Sequence, residues 1–282
     1  MAVKTIAVLG AGQMGSGIAQ IAAKAGYKVI LRDIKEEFCA KGIDTISKNL
    51  AKQVAKGKST QEEADAALAN ITTTTVLEGV ADADLVIEAA PEILDLKHDT
   101  FVELGKICRP DAVLATNTSS MSITAITKDT EKPERCIGMH FFFPVQAMKL
   151  VEMIRSDYTS DATVEVIREV AKTLGKNAVL CQTDTPGFIV NRCLFAFMLE
   201  AVHCYEEGVA SIEDIDTAIK FGLNHPLGPF EMMDMSGLDT FPHVTETLEA
   251  LPITTWACPE SVKKLIEAGK YGRKNGEGWY KY

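Results

Sequence analysis

Val3-Lys4-Thr5-Ile6-Ala7-Val8-Leu9-Gly10-Ala11-Gly12-Gln13-Met14-Gly15 decides the fold. An apolar run of strand length leads directly into G-x-G-x-x-G. Small residues then continue at helical positions (Gly17, Ala19, Ala22, Ala23). The glycine string alone is a weak signal, and its place between a strand and a helix gives it meaning. Glycines there permit a tight turn, close approach of a pyrophosphate, and tight packing of helix on strand. The phosphates then rest on the unpaired N–H groups and positive dipole end of the helix. Gly10, Ala11, Gly12, Gln13, Met14 and Gly15 are therefore candidate dinucleotide-binding residues. A second apolar run, Lys28-Val29-Ile30-Leu31-Arg32, ends at Asp33. A carboxylate at that strand tip accepts hydrogen bonds from the ribose hydroxyls and repels a 2′-phosphate, which favours NAD over NADP. Arg32 beside it is a complication, because a guanidinium could accommodate that phosphate.

Outward from this stretch, short apolar runs alternate with segments of helical period. The runs are DLVIEAA, AVLATNT, IGMHFF, KLVEMI and NAVLCQ, and helical segments are expected at 95–107 and 162–174. Runs apolar on both faces, with helices between them, predict a parallel sheet covered on both sides, the Rossmann-type doubly wound α/β architecture. Residues 35–70 are more than one crossover needs and read as an inserted pair of helices. At Thr185-Pro186-Gly187 the character changes. Beyond it only helical stretches are expected, at 188–207, 212–221, 230–235, 239–250 and 261–268. The expected organisation is a dinucleotide-binding domain over 1–185 and an all-α domain over 186–282, the latter serving the substrate cleft and dimerisation.

Composition narrows the function. The 282 residues are 46% apolar and 24% charged, with 29 Lys+Arg against 39 Asp+Glu and a net charge of −10. A phosphate backbone needs a basic face, so nucleic acid is not an expected partner. No apolar run is long enough to span a bilayer, and the N-terminus does not read as a signal peptide. Seven scattered cysteines without a C-x-x-C fit a reducing, cytoplasmic setting with no disulfide or zinc framework. No metal site is expected.

Among five histidines, His140 stands out because it ends the predicted strand Cys136-Ile137-Gly138-Met139-His140. Residues at the carboxyl ends of such strands face the ligand crevice. Glu152 lies twelve residues on, in the apolar run Lys149-Leu150-Val151-Glu152, where a carboxylate must find a partner or lose its charge. A Glu–His pair would fix the imidazole tautomer and raise its basicity, as oxidation of an alcohol requires. A satisfied core histidine is the competing reading. Asn117-Thr118-Ser119-Ser120 follows another strand and reads either as crevice lining or as a helix N-cap. Asn191, just after Pro186-Gly187, is by itself a polar residue in an apolar helix.

Several ordered stretches over the whole chain resemble the L-3-hydroxyacyl-CoA dehydrogenase family. They are GAGQMGSGIAQ, NTSS, GMHFF-x-PV-x-x-MKLVE, TPGFIVNR, HPLGPFE with GLD, and GRKNGEGWYKY. In length the chain is similar to the bacterial branch acting on 3-hydroxybutyryl-CoA in butyrate fermentation. The resemblance implies NAD as cofactor and a short-chain acyl-CoA as substrate. It also implies His140 as general base oriented by Glu152, with Ser119 and Asn191 holding the substrate oxygens. Cofactor contacts carried over to this chain are Glu92, Lys97, Asn117, Ser119 and Lys274. A homodimer or higher homo-oligomer is implied as well.

Lys52 and Lys56, with Lys48 extending the row, would meet the anionic ADP end of coenzyme A, or else form a solvated charged face. The chain departs from the family in two places. Phe143 stands where an asparagine usually contacts the cofactor, and Pro242, Pro252 and Pro259 interrupt the stretch 237–270. Two other functions stay open. One is a dehydrogenase of a free hydroxy acid or sugar acid on the same scaffold. The other is a dinucleotide-binding protein without turnover.

Overall fold

A computed structural model describes residues 3–242, 245 and 258–282. The chain divides into two compact units, 1–185 and 186–282. The first is built on an eight-stranded sheet in the order β3-β2-β1-β4-β5-β6-β7-β8. Its strands are β1 (Thr5–Leu9), β2 (Lys28–Arg32), β3 (Ile71–Thr74), β4 (Leu85–Glu88), β5 (Val113–Thr116), β6 (Cys136–Phe141), β7 (Leu150–Ile154) and β8 (Asn177–Cys181). Helices α1 (Gln13–Lys24), α2 (Glu36–Ala55), α3 (Gln61–Ala69), α4 (Leu94–Ile107), α5 (Ile123–Thr127) and α6 (Asp161–Thr173) connect them.

Both faces of the sheet are buried, so each central strand feeds two cores. In β1, Ile6 and Val8 enter the core that also holds Ile18, Ala19 and Ala22 of α1. Ala7 and Leu9 enter the opposite core with Phe101 and Leu104 of α4. That two-sided demand explains why these strands read as continuous apolar runs. Serine and threonine start the helices where expected by cap chemistry. Thr60 and Glu63 close a capping box on α3, and Ser122 and Ser160 accept from the first turns of α5 and α6.

Two features correct the sequence expectation. The sheet is not wholly parallel, because β7 runs antiparallel to β6, and β8 runs parallel to β7. Only residues 142–149 join β6 to β7. A parallel return needs a crossover of a dozen residues or more, so a connection this short forces a hairpin. The inserted segment also ends in an additional edge strand, β3, paired parallel to β2. Its Thr-rich sequence lacks an apolar face, which hides it from a search for hydrophobic runs.

The second unit, taken by itself, packs α7 (Val190–Glu206), α8 (Ile212–Gly222), α9 (Pro229–Ser236) and α10 (Glu260–Glu267) around a core with Met198, Val202, Phe230 and Met233. Two buried aspartates tie its tail down. Asp234 accepts from the main-chain N–H of Trp279 and Tyr280, at 2.9 and 3.0 Å, and from the Tyr282 hydroxyl at 2.6 Å. Asp216 accepts from the N–H of Phe230 and from the Tyr280 hydroxyl. A Cβ on Gly278 would lie 2.2 Å from Asp234 Oδ1, so the tail passes only as glycine. Of the helix expected at 239–250, residues 238–240 form a 3₁₀ turn. The stretch 246–250, His243 and Pro252 lie outside the described residues.

Candidate active site

The strand order reverses direction at β1, with β2 on one side and β4 on the other, so the ligand crevice lies beyond their carboxyl ends. Gly10 sits there at φ +98°, and a Cβ on it would lie 2.5 Å from the Ala89 carbonyl oxygen. A Cβ on Gly15 would fall 1.7 Å from the Gly10 carbonyl oxygen. By contrast, nothing stands within 4 Å of a Cβ built on Gly12. Helix α1 starts at Gly12 with no side-chain cap and no acidic residue in its first turn. The turn is thus tight where the chain must fold back. It is open where a phosphate would meet the first N–H groups of α1, held by Gly12, Gln13, Met14 and Gly15. These residues fit a dinucleotide.

Asp33 follows β2 at the lip of this turn. Its Oδ2 accepts from Ala11 N–H and its Oδ1 from Ile34 N–H, each at 2.7 Å. The carboxylate is therefore fixed beside the glycines rather than loose in solvent. Arg32 is half-buried, and its Nε is shielded without a hydrogen-bond partner.

The dyad is formed. The β6–β7 hairpin sets His140 directly opposite Glu152 in register, which puts both side chains on one face. His140 Nδ1 lies 2.8 Å from Glu152 Oε2, and Glu152 is fully buried. The Phe142 ring packs against the imidazole at 4.6 Å between centroids. Phe143, next in sequence, is 60% exposed, so its ring does not belong to the core.

A second charged group lies at the ends of β4 and β5. Glu92 Oε1 accepts from Ser119 N–H at 2.7 Å and from Ser119 Oγ at 3.2 Å, while its Oε2 accepts from Thr118 Oγ1 at 3.0 Å. Lys97 is buried and donates to Glu88 Oε1 at 2.7 Å and to the Ala90 carbonyl at 3.1 Å. Its Nζ is also 3.4 Å from Glu92 Oε2. Asn117 accepts the Phe141 N–H on its Oδ1 at 2.9 Å, so it links this loop to the strand of His140. The structure thus brings Glu92, Lys97, Asn117 and Ser119 together on one loop cluster.

Glu88 and Thr116 are the members that the sequence reading missed. Glu88 closes the apolar run Leu85–Glu88 and is fully buried. The signal was present, because a carboxylate in an apolar strand needs a partner, the same argument that singled out Glu152.

Lys52 lies on α2 and Lys56 ends that helix, and both are exposed. Lys48 is paired with Asp44 at 2.6 Å, whereas among the described residues neither Lys52 nor Lys56 forms an ion pair. In the helical unit, Asn191 is the second residue of α7. Lys274 is ion-paired with Asp239 at 2.6 Å. Among the described residues, no cluster of three or more His, Cys, Asp or Glu could hold a metal ion. No helix there is long and apolar enough to cross a membrane.

Residues 5–185 match the family described as 3-hydroxyacyl-CoA dehydrogenase, NAD binding domain, and residues 187–282 match its C-terminal domain. The chain belongs to the 3-hydroxyacyl-CoA dehydrogenase family. It is 44% identical over 282 residues to a 3-hydroxybutyryl-CoA dehydrogenase of Bradyrhizobium diazoefficiens, covering 99% of this chain and 96% of that one. It is 43% identical to the human mitochondrial hydroxyacyl-coenzyme A dehydrogenase, covering 99% and 91%. The crystal structure of (S)-3-hydroxybutyryl-CoA dehydrogenase from Ralstonia eutropha superposes with a TM-score of 0.96 at 39% identity, covering 100% and 99%. The chain is an NAD-dependent dehydrogenase of this family, and NAD is its cofactor.

Proposed function

We propose that the enzyme interconverts a short-chain (S)-3-hydroxyacyl-CoA and its 3-ketoacyl-CoA, with 3-hydroxybutyryl-CoA and acetoacetyl-CoA as the preferred pair. The observation that carries this reading is the buried His140–Glu152 pair at 2.8 Å on the same sheet as the dinucleotide turn. Bound NAD supplies the hydride acceptor for the substrate's C3. His140 handles the proton. With Nδ1 against the Glu152 carboxylate, its Nε2 is the atom that takes the proton from the 3-hydroxyl in oxidation and returns it in reduction. The Glu152 charge fixes the tautomer and supports the imidazolium formed on the way. Ser119 holds the substrate oxygens, and Asn191 is proposed as a further substrate contact from the family resemblance alone.

Asp33 reads the adenosine ribose and sets a preference for NADH over NADPH. Glu92, Lys97 and Asn117 complete the cofactor contacts of the first unit, and Lys274 is proposed as a further one from the family resemblance alone. The exposed ammonium groups of Lys52 and Lys56, which form no ion pair among the described residues, take the ADP end of coenzyme A. That explains how a chain of net charge −10 binds a polyanion. A free hydroxy acid would have no use for those lysines. The remaining parts of the proposal are a cytoplasmic homodimer or higher homo-oligomer working in butyrate fermentation, mainly as a reductase.

The test is NADH and NADPH oxidation with acetoacetyl-CoA, longer 3-ketoacyl-CoA thioesters and free acetoacetate. Rapid NADH oxidation with acetoacetyl-CoA is expected. Activity with the free acid alone would support the free-acid reading, and no oxidation with any thioester would sink the proposal.

A further inference from the structure

We infer that Glu88 is a positioning residue for this reaction, the buried anchor from which the loop carrying Ser119 is held in place. The inference rests on the role proposed for Ser119. Glu88 is fully buried, and two of its contacts, Thr116 and Lys97, lead on to the loop that carries Ser119. Through Oε2 it accepts from Thr116 Oγ1 at 2.7 Å, and that same hydroxyl oxygen accepts from Thr118 N–H at 3.2 Å. Through Oε1 it accepts from Lys97 Nζ at 2.7 Å and from Ala90 N–H at 2.6 Å. Lys97 lies 3.4 Å from Glu92 Oε2, and Glu92 accepts from Thr118 Oγ1 and from both the N–H and the Oγ of Ser119. Two arms leave one carboxylate and meet again on Thr118 and Ser119.

Burial divides the labour. The Glu92 side chain, which touches the serine, is 40% exposed and lies on the connection from β4 to α4, so solvent competes for it. Lys97 and Glu88 are shielded almost completely, at 1% and 0%. A buried ion pair contributes little net stability compared with an apolar pair of the same shape, because both charges must be stripped of water. Its effect here is directional. The Glu88 carboxylate fixes where the Lys97 ammonium sits, and the ammonium fixes which way Glu92 faces. A glutamine at position 88 that keeps its oxygen toward Lys97 and Ala90 N–H loses the charge facing the ammonium and turns its NH₂ to Thr116. That buried hydroxyl must then accept where it donated, and its own hydrogen is left without the carboxylate, so both arms are weakened.

The experiment has a direct readout and a functional one. Amide hydrogen exchange of residues 117–121 is measured on the cofactor-free protein. Glu88→Gln is expected to speed exchange at Thr118 and Ser119 about tenfold or more while the β1 amides stay protected. For function, kcat/KM with acetoacetyl-CoA is measured for Glu88→Gln in the wild-type background and in Ser119→Ala. A loss of about tenfold or more is expected in the first background and less than about twofold in the second, since residues acting through one another do not add. A third variant, Glu88→Gln with Lys97→Met, removes both buried charges. It is expected to regain the melting temperature lost in Glu88→Gln while exchange at Thr118 and Ser119 stays fast. Unchanged exchange at 118–119 in Glu88→Gln, an equal loss in both backgrounds, or recovery of slow exchange together with stability in the third variant would each overturn the inference. A wild type inactive on every thioester would instead break the functional reading, and the exchange measurement would still decide the role of Glu88.

Discussion

Glu88 and Glu152 are two fully buried carboxylates in one sheet, and their partners differ. At the β6–β7 hairpin the partner is an imidazole, whose second ring nitrogen can take up or release a proton while the first stays on the carboxylate. At the β4–α4 junction it is a lysine ammonium, which only donates and whose contacts are spent on Glu88, Glu92 and the Ala90 carbonyl. In the function proposed above, the first pair moves a proton and the second holds a shape. Their sequence settings are nearly the same, an acidic residue in or at the end of an apolar strand. What separates the outcomes is the fold. A hairpin brings a strand residue opposite Glu152, whereas a helix following the strand brings Lys97 back under Glu88.

The sharpest way to break this contrast is at the proton-moving pair. His140→Ala is expected to lower turnover by about two to four orders of magnitude, the usual range for losing a general acid–base, while NADH still binds. Glu152→Gln is expected to be damaging too, because the amide cannot support an imidazolium. Steady-state kinetics with NADH titrations check both. Near-normal turnover in His140→Ala would mean that the hairpin pair, like the lysine pair, is structural.

The next effect is smaller and lies on the surface. Lys52→Ala combined with Lys56→Ala is expected to raise KM for acetoacetyl-CoA about tenfold or more, since charge-assisted hydrogen bonds contribute roughly 1.5–3 kcal/mol each. A truncated pantetheine thioester should respond less than about twofold. Equal effects on both substrates would place the coenzyme tail elsewhere.

Phe143 gives the smallest kinetic effect. The ring is exposed, so exchanging it should leave the melting temperature nearly unchanged. An asparagine there would restore an amide toward the cofactor, and one neutral hydrogen bond contributes about 0.5–1.5 kcal/mol. Phe143→Asn is therefore expected to tighten NADH by up to roughly tenfold without raising turnover by orders of magnitude. Unchanged affinity, read by fluorescence titration, would show that the contact is absent in this enzyme.

How much of this was legible in the sequence follows the same division. The glycine turn, seven of the strands and the His140–Glu152 pairing could be read because each rests on local chemistry, on apolar runs, or on the cost of a charge in an apolar strand. The edge strand β3 escaped because Ile71–Thr74 is polar at the sheet margin, where β-branched threonines pair without a core to face. The antiparallel turn of β7 could have been inferred from the shortness of residues 142–149. The convergence of Glu88, Lys97, Glu92 and Ser119 could not. It depends on how far α4 folds back beneath β4, and spacing alone does not state that distance.

A third carboxylate, at the amino ends of the central strands, sharpens the comparison by doing neither job. Asp84 precedes β4 and accepts from the main-chain N–H of Lys4 and Thr5 on Oδ2, at 2.7 and 2.9 Å, and from Arg109 on Oδ1. Partial burial pushes its acidity down, but these donors outweigh it and hold the carboxyl below the usual carboxylate range. A group whose folded pKa lies below its unfolded one contributes stability above the unfolded value. That contribution disappears as the pH falls through the folded value. Asp84→Asn must turn its NH₂ either toward the two N–H groups or toward the guanidinium, so at least one favourable contact becomes a repulsive one. The expected cost near pH 7 is on the order of 1 kcal/mol, a few degrees in melting temperature. The gap between variant and wild type should narrow as the pH falls below about 4, where ordinary carboxylates protonate. Turnover and NADH affinity should be unchanged, because the amino ends of the strands lie away from the carboxyl ends to which the proposed chemistry is assigned. Thermal melts across pH, together with the acetoacetyl-CoA assay, check both halves. A loss of turnover with normal melting would mean that carboxylates at both ends of the strands serve the reaction, and that strand polarity does not separate chemistry from stability in this fold.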